Sequence, residues 1–163
     1  MNQSNTGKPT AFLELKVPPL LLLALVAALI ALSAWLSGWR LGLSGRLAWT
    51  LAALLAAFGS TLAAAGVWAF RRHRTTVDPR YPEQSERIVS DGIYAHTRNP
   101  MYLGFVAMLA GWALGWQDPL GLIWLGLFVV YLTRYQITPE ERILRQRFGD
   151  EFERYCQRVR RWL

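Results

Sequence analysis

Apolar residues in this chain fall in long blocks and do not follow the period of an amphipathic soluble fold. Residues 17–36 and 47–70 carry no charge. Each block reaches the roughly 20 residues needed to cross ~30 Å of hydrocarbon at ~1.5 Å per residue. Two shorter runs, 101–117 and 120–135, flank Asp118-Pro119, a turn tight enough to require a hairpin, and Arg134 can snorkel near the end of the second. The pattern predicts an all-α integral membrane protein of one domain. It has four transmembrane helices, at about 17–36, 47–70, 101–117 and 120–135. Pro18-Pro19 suits the first turn of the first helix, where a missing N–H costs least. The polar head before it includes Glu14, and three spans follow, so the first span is read as a true span and not as a cleaved signal sequence.

Two polar stretches interrupt this frame. The first, 71–99, is long for a mere link, and loops of that size usually carry function or disorder. It opens on the turn-rich Asp78-Pro79-Arg80-Tyr81-Pro82 and later holds Ser90-Asp91-Gly92, a chain-reversing turn, with Tyr81, Tyr94 and His96 arguing for order. The second follows the last apolar run. Thr138-Pro139-Glu140-Glu141 reads as a capping box with Pro at the first helical position, starting a C-terminal helix over 139–161. Leu144, Phe148, Phe152, Tyr155 and Val159 recur at helical spacing along it as an amphipathic stripe, with Gly149 as a kink point.

Charge then orients the frame. Arg71, Arg72, Arg74, Arg80, Arg87 and Arg98 lie between the second and third spans, and Arg142, Arg145, Arg147, Arg154, Arg158, Arg160 and Arg161 follow the fourth. The other side has only Arg40 and Arg46. The positive-inside rule therefore places both termini and the long loop in the cytoplasm. The net charge of +7 is read as attraction to acidic headgroups of membrane lipids, and no nucleic-acid partner is expected. One cysteine, Cys156, and two histidines predict neither a disulfide nor a metal site. Gly38, Gly42 and Gly45 follow no strand, which excludes a soluble dinucleotide-type methyltransferase fold. Gly111 and Gly115, with Ala107, form a small-residue pair expected to pack the hairpin arms or to mediate a homodimer.

Candidate chemistry sits where the polar stretches meet the hairpin. Pro100 starts the third span and biases Asn99 toward extended backbone. Tyr102 offers an aromatic face and Gly104 close backbone approach, both useful around a bulky, partly cationic cofactor. The plainer reading is an interfacial Tyr and a packing Gly. Glu140 and Glu141 fall in a first helical turn, where a helix dipole favours them. They are also two adjacent carboxylates at the membrane-facing end of a basic tail, suited to the cationic region of a ligand.

Taken in order, Ser90-Asp91-Gly92-Ile93-Tyr94, then Thr97-Arg98-Asn99-Pro100-Met101-Tyr102-Leu103-Gly104, then Glu140-Glu141 with Leu144, Phe148-Gly149, Phe152, Tyr155, Val159 and Arg161, resemble the integral-membrane methyltransferase superfamily. Its best-known members are isoprenylcysteine carboxyl methyltransferase and the phospholipid N-methyltransferases. The likeness covers about 88–163. It implies S-adenosylmethionine as cofactor, bound by Tyr94, Arg98, Asn99, Pro100, Tyr102, Leu103, Gly104, Glu140, Glu141 and Tyr155. Glu141 and Arg161 are the implied catalytic residues, with His96 or a glutamate as a base if the acceptor is an amine. A carboxylate acceptor would need no base. Asn99 stands where the isoprenylcysteine branch usually has His, and resembles the phospholipid-methylating branch. Val159-Arg160-Arg161 stands where the family tends to Val-Pro-Arg. The acceptor, a lipid or lipophilic molecule, is thus left open. Tyr155-Cys156 also fits the look of sterol and steroid reductases, which would use NADPH, and a non-catalytic membrane scaffold is the third reading.

Overall fold

A computed structural model describes residues 14–73 and 87–163, whose regular structure is all helical, with no strand among them. The Asp78–Pro82 turns, Tyr81, Arg74, Arg80 and most of the polar head lie outside the described residues. Helix α1 (Pro19–Ser37) starts on Pro18-Pro19, with the Leu21 and Leu22 amides donating to the Pro18 carbonyl, and stops at Gly38 in a left-handed conformation. Leu22, Val26, Ile30 and Ala34, four residues apart, form its buried stripe. Leu20, Leu21, Leu25, Leu32, Trp35 and Leu36 stand exposed around the rest, a surface that suits hydrocarbon and not water.

Helix α2 (Gly45–Arg72) is capped by Ser44, whose hydroxyl accepts from the Leu47 amide. Helix α3 (Pro100–Trp116) packs more extensively on α2 than on any other helix. The contact runs along small residues. A Cβ on Gly104 would overlap the Gly59 carbonyl oxygen and lie 2.9 Å from the Ala63 nitrogen, and one on Gly111 would lie 2.8 Å from the Ala52 carbonyl oxygen. Gly115 lies under the ring of Trp49. Small residues let membrane helices approach closely, and dispersion then holds them. The partner of Gly111 and Gly115 is therefore α2 and not the returning hairpin arm. That stripe is used within the chain.

The turn from α3 to α4 (Gly121–Tyr131) is the expected hairpin. Gln117 is left-handed, Asp118 is buried, and the Asp118 carboxylate accepts from the Leu120 amide and from the Ser33 hydroxyl of α1. Gln117 Oε1 accepts from the Leu43 amide, so one turn fastens the α1–α2 loop as well. The core among α1, α3 and α4 centres on Ile30, Leu109, Phe128, Leu132 and Ile137.

At the other end the structure departs from expectation twice. Thr138-Pro139 does not open a new helix. Chain 121–148 is continuous, passing from α4 through a π-helical turn (Leu132–Ile137) into α5 (Thr138–Phe148). The Thr138 hydroxyl does not cap; it donates to the Thr133 carbonyl at 2.7 Å. Pro139 is interior, where it has no N–H for the carbonyl four residues back and its ring crowds that carbonyl. A widened π turn just before it accommodates both, and such bulges often mark functional sites. The expected 139–161 helix is also broken in two, because Gly149 at φ +51 separates α5 from α6 (Asp150–Arg158). The apolar stripe survives the break, with Phe152, Tyr155 and Val159 clustering against Ile88, Leu144 and Phe148. Pro19–Ser37, Gly45–Arg72 and Gly121–Phe148 are long and apolar enough to cross a membrane; Pro100–Trp116 is apolar but shorter.

Candidate functional site

The two polar motifs meet at the arginine-rich end of the helices. Pro100 starts α3 where no N–H is needed, and the residues before it run alongside the C-terminal tail. The Arg98 amide donates to the Arg160 carbonyl at 3.0 Å, and Asn99 Nδ2 donates to the Arg161 carbonyl at 2.9 Å. Asn99 thus tethers the tail and makes no side-chain cap on α3. Thr97, fully buried, accepts from the Asn99 amide and donates toward the Arg161 carbonyl.

Glu140 and Glu141 are adjacent, and a step of one residue turns a helix by about 100°, so they face different partners. Glu141 is buried. Arg161 grips it as a fork, Nε 3.1 Å from Oε1 and Nη2 2.6 Å from Oε2, while Arg98 Nη2 lies 3.0 Å from Oε1. Arg145, one turn on, adds a looser contact at 3.7 Å. The Glu141 hydrogen bond holds the Arg161 guanidinium above its ordinary pKa. Glu140, half-buried, accepts at Oε1 from the Tyr102 hydroxyl at 2.7 Å and from Gln136 Nε2 at 2.5 Å. Arg98 Nε is buried with no hydrogen-bond partner among the described residues, a donor placed beside this cluster.

Tyr94 and Tyr155 close the side toward the loop. The Tyr155 hydroxyl donates to the Tyr94 carbonyl at 2.8 Å, and the Tyr94 ring stands edge-on to Phe70 of α2 at 5.2 Å. Burial raises both phenols well above the usual tyrosine range, so both stay protonated. Tyr155→Phe is expected to leave the Tyr94 carbonyl unsatisfied and to cost about 1–3 kcal/mol, read as a lower thermal midpoint in detergent.

The structure brings together Tyr94, Arg98, Asn99, Pro100, Tyr102, Glu140, Glu141, Tyr155 and Arg161. Leu103 is half-buried one turn into α3, and the open side of Gly104 faces α2. His96 is exposed on the loop. Three partners were not singled out beforehand. Gln136 carried a usable signal, a polar residue four before Glu140 at the end of an apolar run. His73 closes α2 and meets Asp91 at 2.8 Å, pinning the loop and holding the Asp91 carboxyl below its usual range. Glu14 pairs with Arg142, 128 residues away, for which no local signal exists.

Comparison with known proteins adds to this geometry. Residues 47–151 match the model of the phospholipid methyltransferase family. An uncharacterized protein of Haemophilus influenzae is 45% identical over 65 residues, 39% of this chain and 100% of that protein. A protein-S-isoprenylcysteine O-methyltransferase of Schizosaccharomyces pombe is 42% identical over 76 residues, 44% of this chain and 30% of that one. A probable protein-S-isoprenylcysteine O-methyltransferase of Oryza sativa subsp. indica is 31% identical over 113 residues, 65% and 56% of the two chains. The chain thus spans less than two thirds of the length of these named relatives. No solved structure matches. With the matched region covering well over half the sequence and containing nearly all of α2 and the whole of α3, α4 and α5, the chain belongs to the phospholipid methyltransferase family, within the integral-membrane methyltransferase superfamily that its motifs resemble.

Proposed function

We propose that this protein transfers a methyl group from S-adenosylmethionine to a lipid or lipophilic acceptor at the cytosolic face of the membrane. In this reading it is a single membrane domain of four spans with both termini cytoplasmic. The observation that carries it is the convergence of two motifs some forty residues apart: Tyr102 on Glu140 at 2.7 Å and Arg98 on Glu141 at 3.0 Å. The family match and the relatives named as O-methyltransferases give the same reaction class.

The residues present fit the cofactor. Both hydrogen bonds on Glu140 fall on Oε1, so Oε2 retains acceptor capacity for a cationic group. The Nε–H of Arg98, buried and without a hydrogen-bond partner among the described residues, suits the cofactor's carboxylate. Bound S-adenosylmethionine supplies an electrophilic methyl on a sulfonium. The chain's task is to hold the acceptor in line, about 3 Å away, which supplies much of the rate. Glu140 and Tyr102 orient the cofactor's polar end. Glu141 and Arg161, which satisfy each other, hold that surface in place. A carboxylate acceptor needs no base; an amine would need one, for which His96 or a glutamate is the candidate. The acceptor's tail reaches the site sideways between helices.

The test is calorimetric binding of S-adenosylhomocysteine to the detergent-purified chain, with NADPH as comparator. Wild type is expected to bind S-adenosylhomocysteine saturably. Glu140→Gln is expected to weaken binding about ten- to hundredfold, the equivalent of ~1.5–3 kcal/mol for a lost charge-assisted hydrogen bond. Binding of NADPH alone would replace this reading with a reductase, and binding of neither would end it.

A further inference from the structure

We infer that the segment just before α1 is part of the site's scaffold, with Glu14 as a positioning residue that sets the Glu140–Glu141 turn through Arg142. The inference rests on the proposed cofactor reading for its consequence, but its geometry stands on separate observations. Pro139 leaves the Tyr135 carbonyl without its ordinary helical donor. The Leu15 amide fills that place, donating to Tyr135 O at 3.0 Å. To do so Leu15 adopts φ +57, a conformation that costs a branched L-residue about 1 kcal/mol or more and persists only where surroundings enforce it. Beside it Glu14 is 6% exposed, and its carboxylate accepts from Arg142 Nη2 at 2.5 Å. A charge is buried this deeply only when paired.

Arg142 directly follows the two site glutamates. Glu140, Glu141 and Arg142 therefore point three ways round one helical turn, to α3, to the C-terminal tail and to the N-terminal segment. Two of these anchors can hold the turn while still letting it rock about the line between them. The third fixes its rotation, at the place where the π turn and Pro139 have weakened the helix's own bonding. Residues 14 and 15 lie outside the matched region 47–151.

The experiment compares wild type, Glu14→Gln, and the swap Glu14→Arg with Arg142→Glu, all as full chains in detergent. S-adenosylhomocysteine affinity is read by calorimetry, which separates stoichiometry from Kd. Hydrogen exchange is read over residues 136–142. Glu14→Gln is expected to weaken Kd about tenfold, as when the support of a ligand-binding group is removed, and to speed exchange in that stretch, with the swap recovering most of both. A purely structural role would lower stoichiometry and leave Kd unchanged. Wild-type affinity in Glu14→Gln, or no recovery in the swap, overturns the inference. If wild type binds no S-adenosylhomocysteine, the cofactor reading fails, and the exchange comparison alone decides the strap: unchanged exchange in Glu14→Gln rejects it.

Discussion

Glu141→Ala is expected to abolish S-adenosylhomocysteine binding and to release the C-terminal tail from the head of α3. The carboxylate is the shared counter-ion of Arg98 and Arg161, at 3.0 and 2.6 Å, with Arg145 nearby. Removing one member of a buried ionic cluster leaves the remaining charges unpaired, at a cost of about 3–5 kcal/mol. The tail has other ties, from Arg98 N to Arg160 O and from Asn99 Nδ2 and, more loosely, Thr97 Oγ1 to Arg161 O. These are neutral acceptors worth roughly 1 kcal/mol each, too little to hold two arginines against the loss. Trypsin is therefore expected to cut at Arg158, Arg160 and Arg161 many times faster in the variant. Arg161→Lys is expected to lose part of the same protection, since a point charge cannot reproduce the two-pronged grip on both carboxylate oxygens. Unchanged proteolysis and unchanged binding in Glu141→Ala would mean that the clamp is incidental.

The same geometry separates the two glutamates, which the sequence presents as an equivalent pair. Glu141 has donors on both oxygens, whereas the donors to Glu140 fall on one. Under the proposed function, the direct ligand contact is therefore assigned to Glu140, with Glu141 acting through the arginines it holds.

Much of this frame is legible along the chain because it depends on composition alone. Uncharged runs long enough to cross hydrocarbon announce helices wherever they pack, and Asp118-Pro119 announces the hairpin. The meeting of 98–104 with 140–141 follows from that hairpin, since two antiparallel arms of similar length return their outer ends to one level. Rotation about the helix axes is what stays hidden. Helices apolar on every side carry no moment to show which face meets which neighbour, so Gly111 and Gly115 give no sign of choosing α2 over α4. Thr138-Pro139-Glu140-Glu141 has the local form of a helix start. It becomes helix interior only because a π turn and the Leu15 amide, 120 positions away, compensate for the proline. Pairings at that separation, such as Glu14 with Arg142, leave no pattern in a single sequence.

Gly104→Leu is the second large effect expected, and it arises from packing alone. Even a methyl group there would overlap the Gly59 carbonyl and press on Ala63, both on the backbone side of α2, where no side chain can swing away. Overpacking of a close-fitted contact typically costs about 1–3 kcal/mol, and here the strain falls on two helix backbones with no rotamer to absorb it. The helices must separate. Association in a bilayer relies on close dispersion contacts, which fade within an ångström of added gap, so the neighbouring Gly111 and Gly66 contacts loosen too. Tyr102, two residues before Gly104, moves with α3 and draws its hydroxyl off Glu140. Gly104→Leu is therefore expected to lower the thermal midpoint sharply and to lose S-adenosylhomocysteine binding together. Gly126→Leu, where an added Cβ meets nothing within 4 Å, is the matched control and is expected to change neither. Normal binding by Gly104→Leu would mean that α2 and α3 separate without disturbing the site, and that the glycine contact serves stability alone.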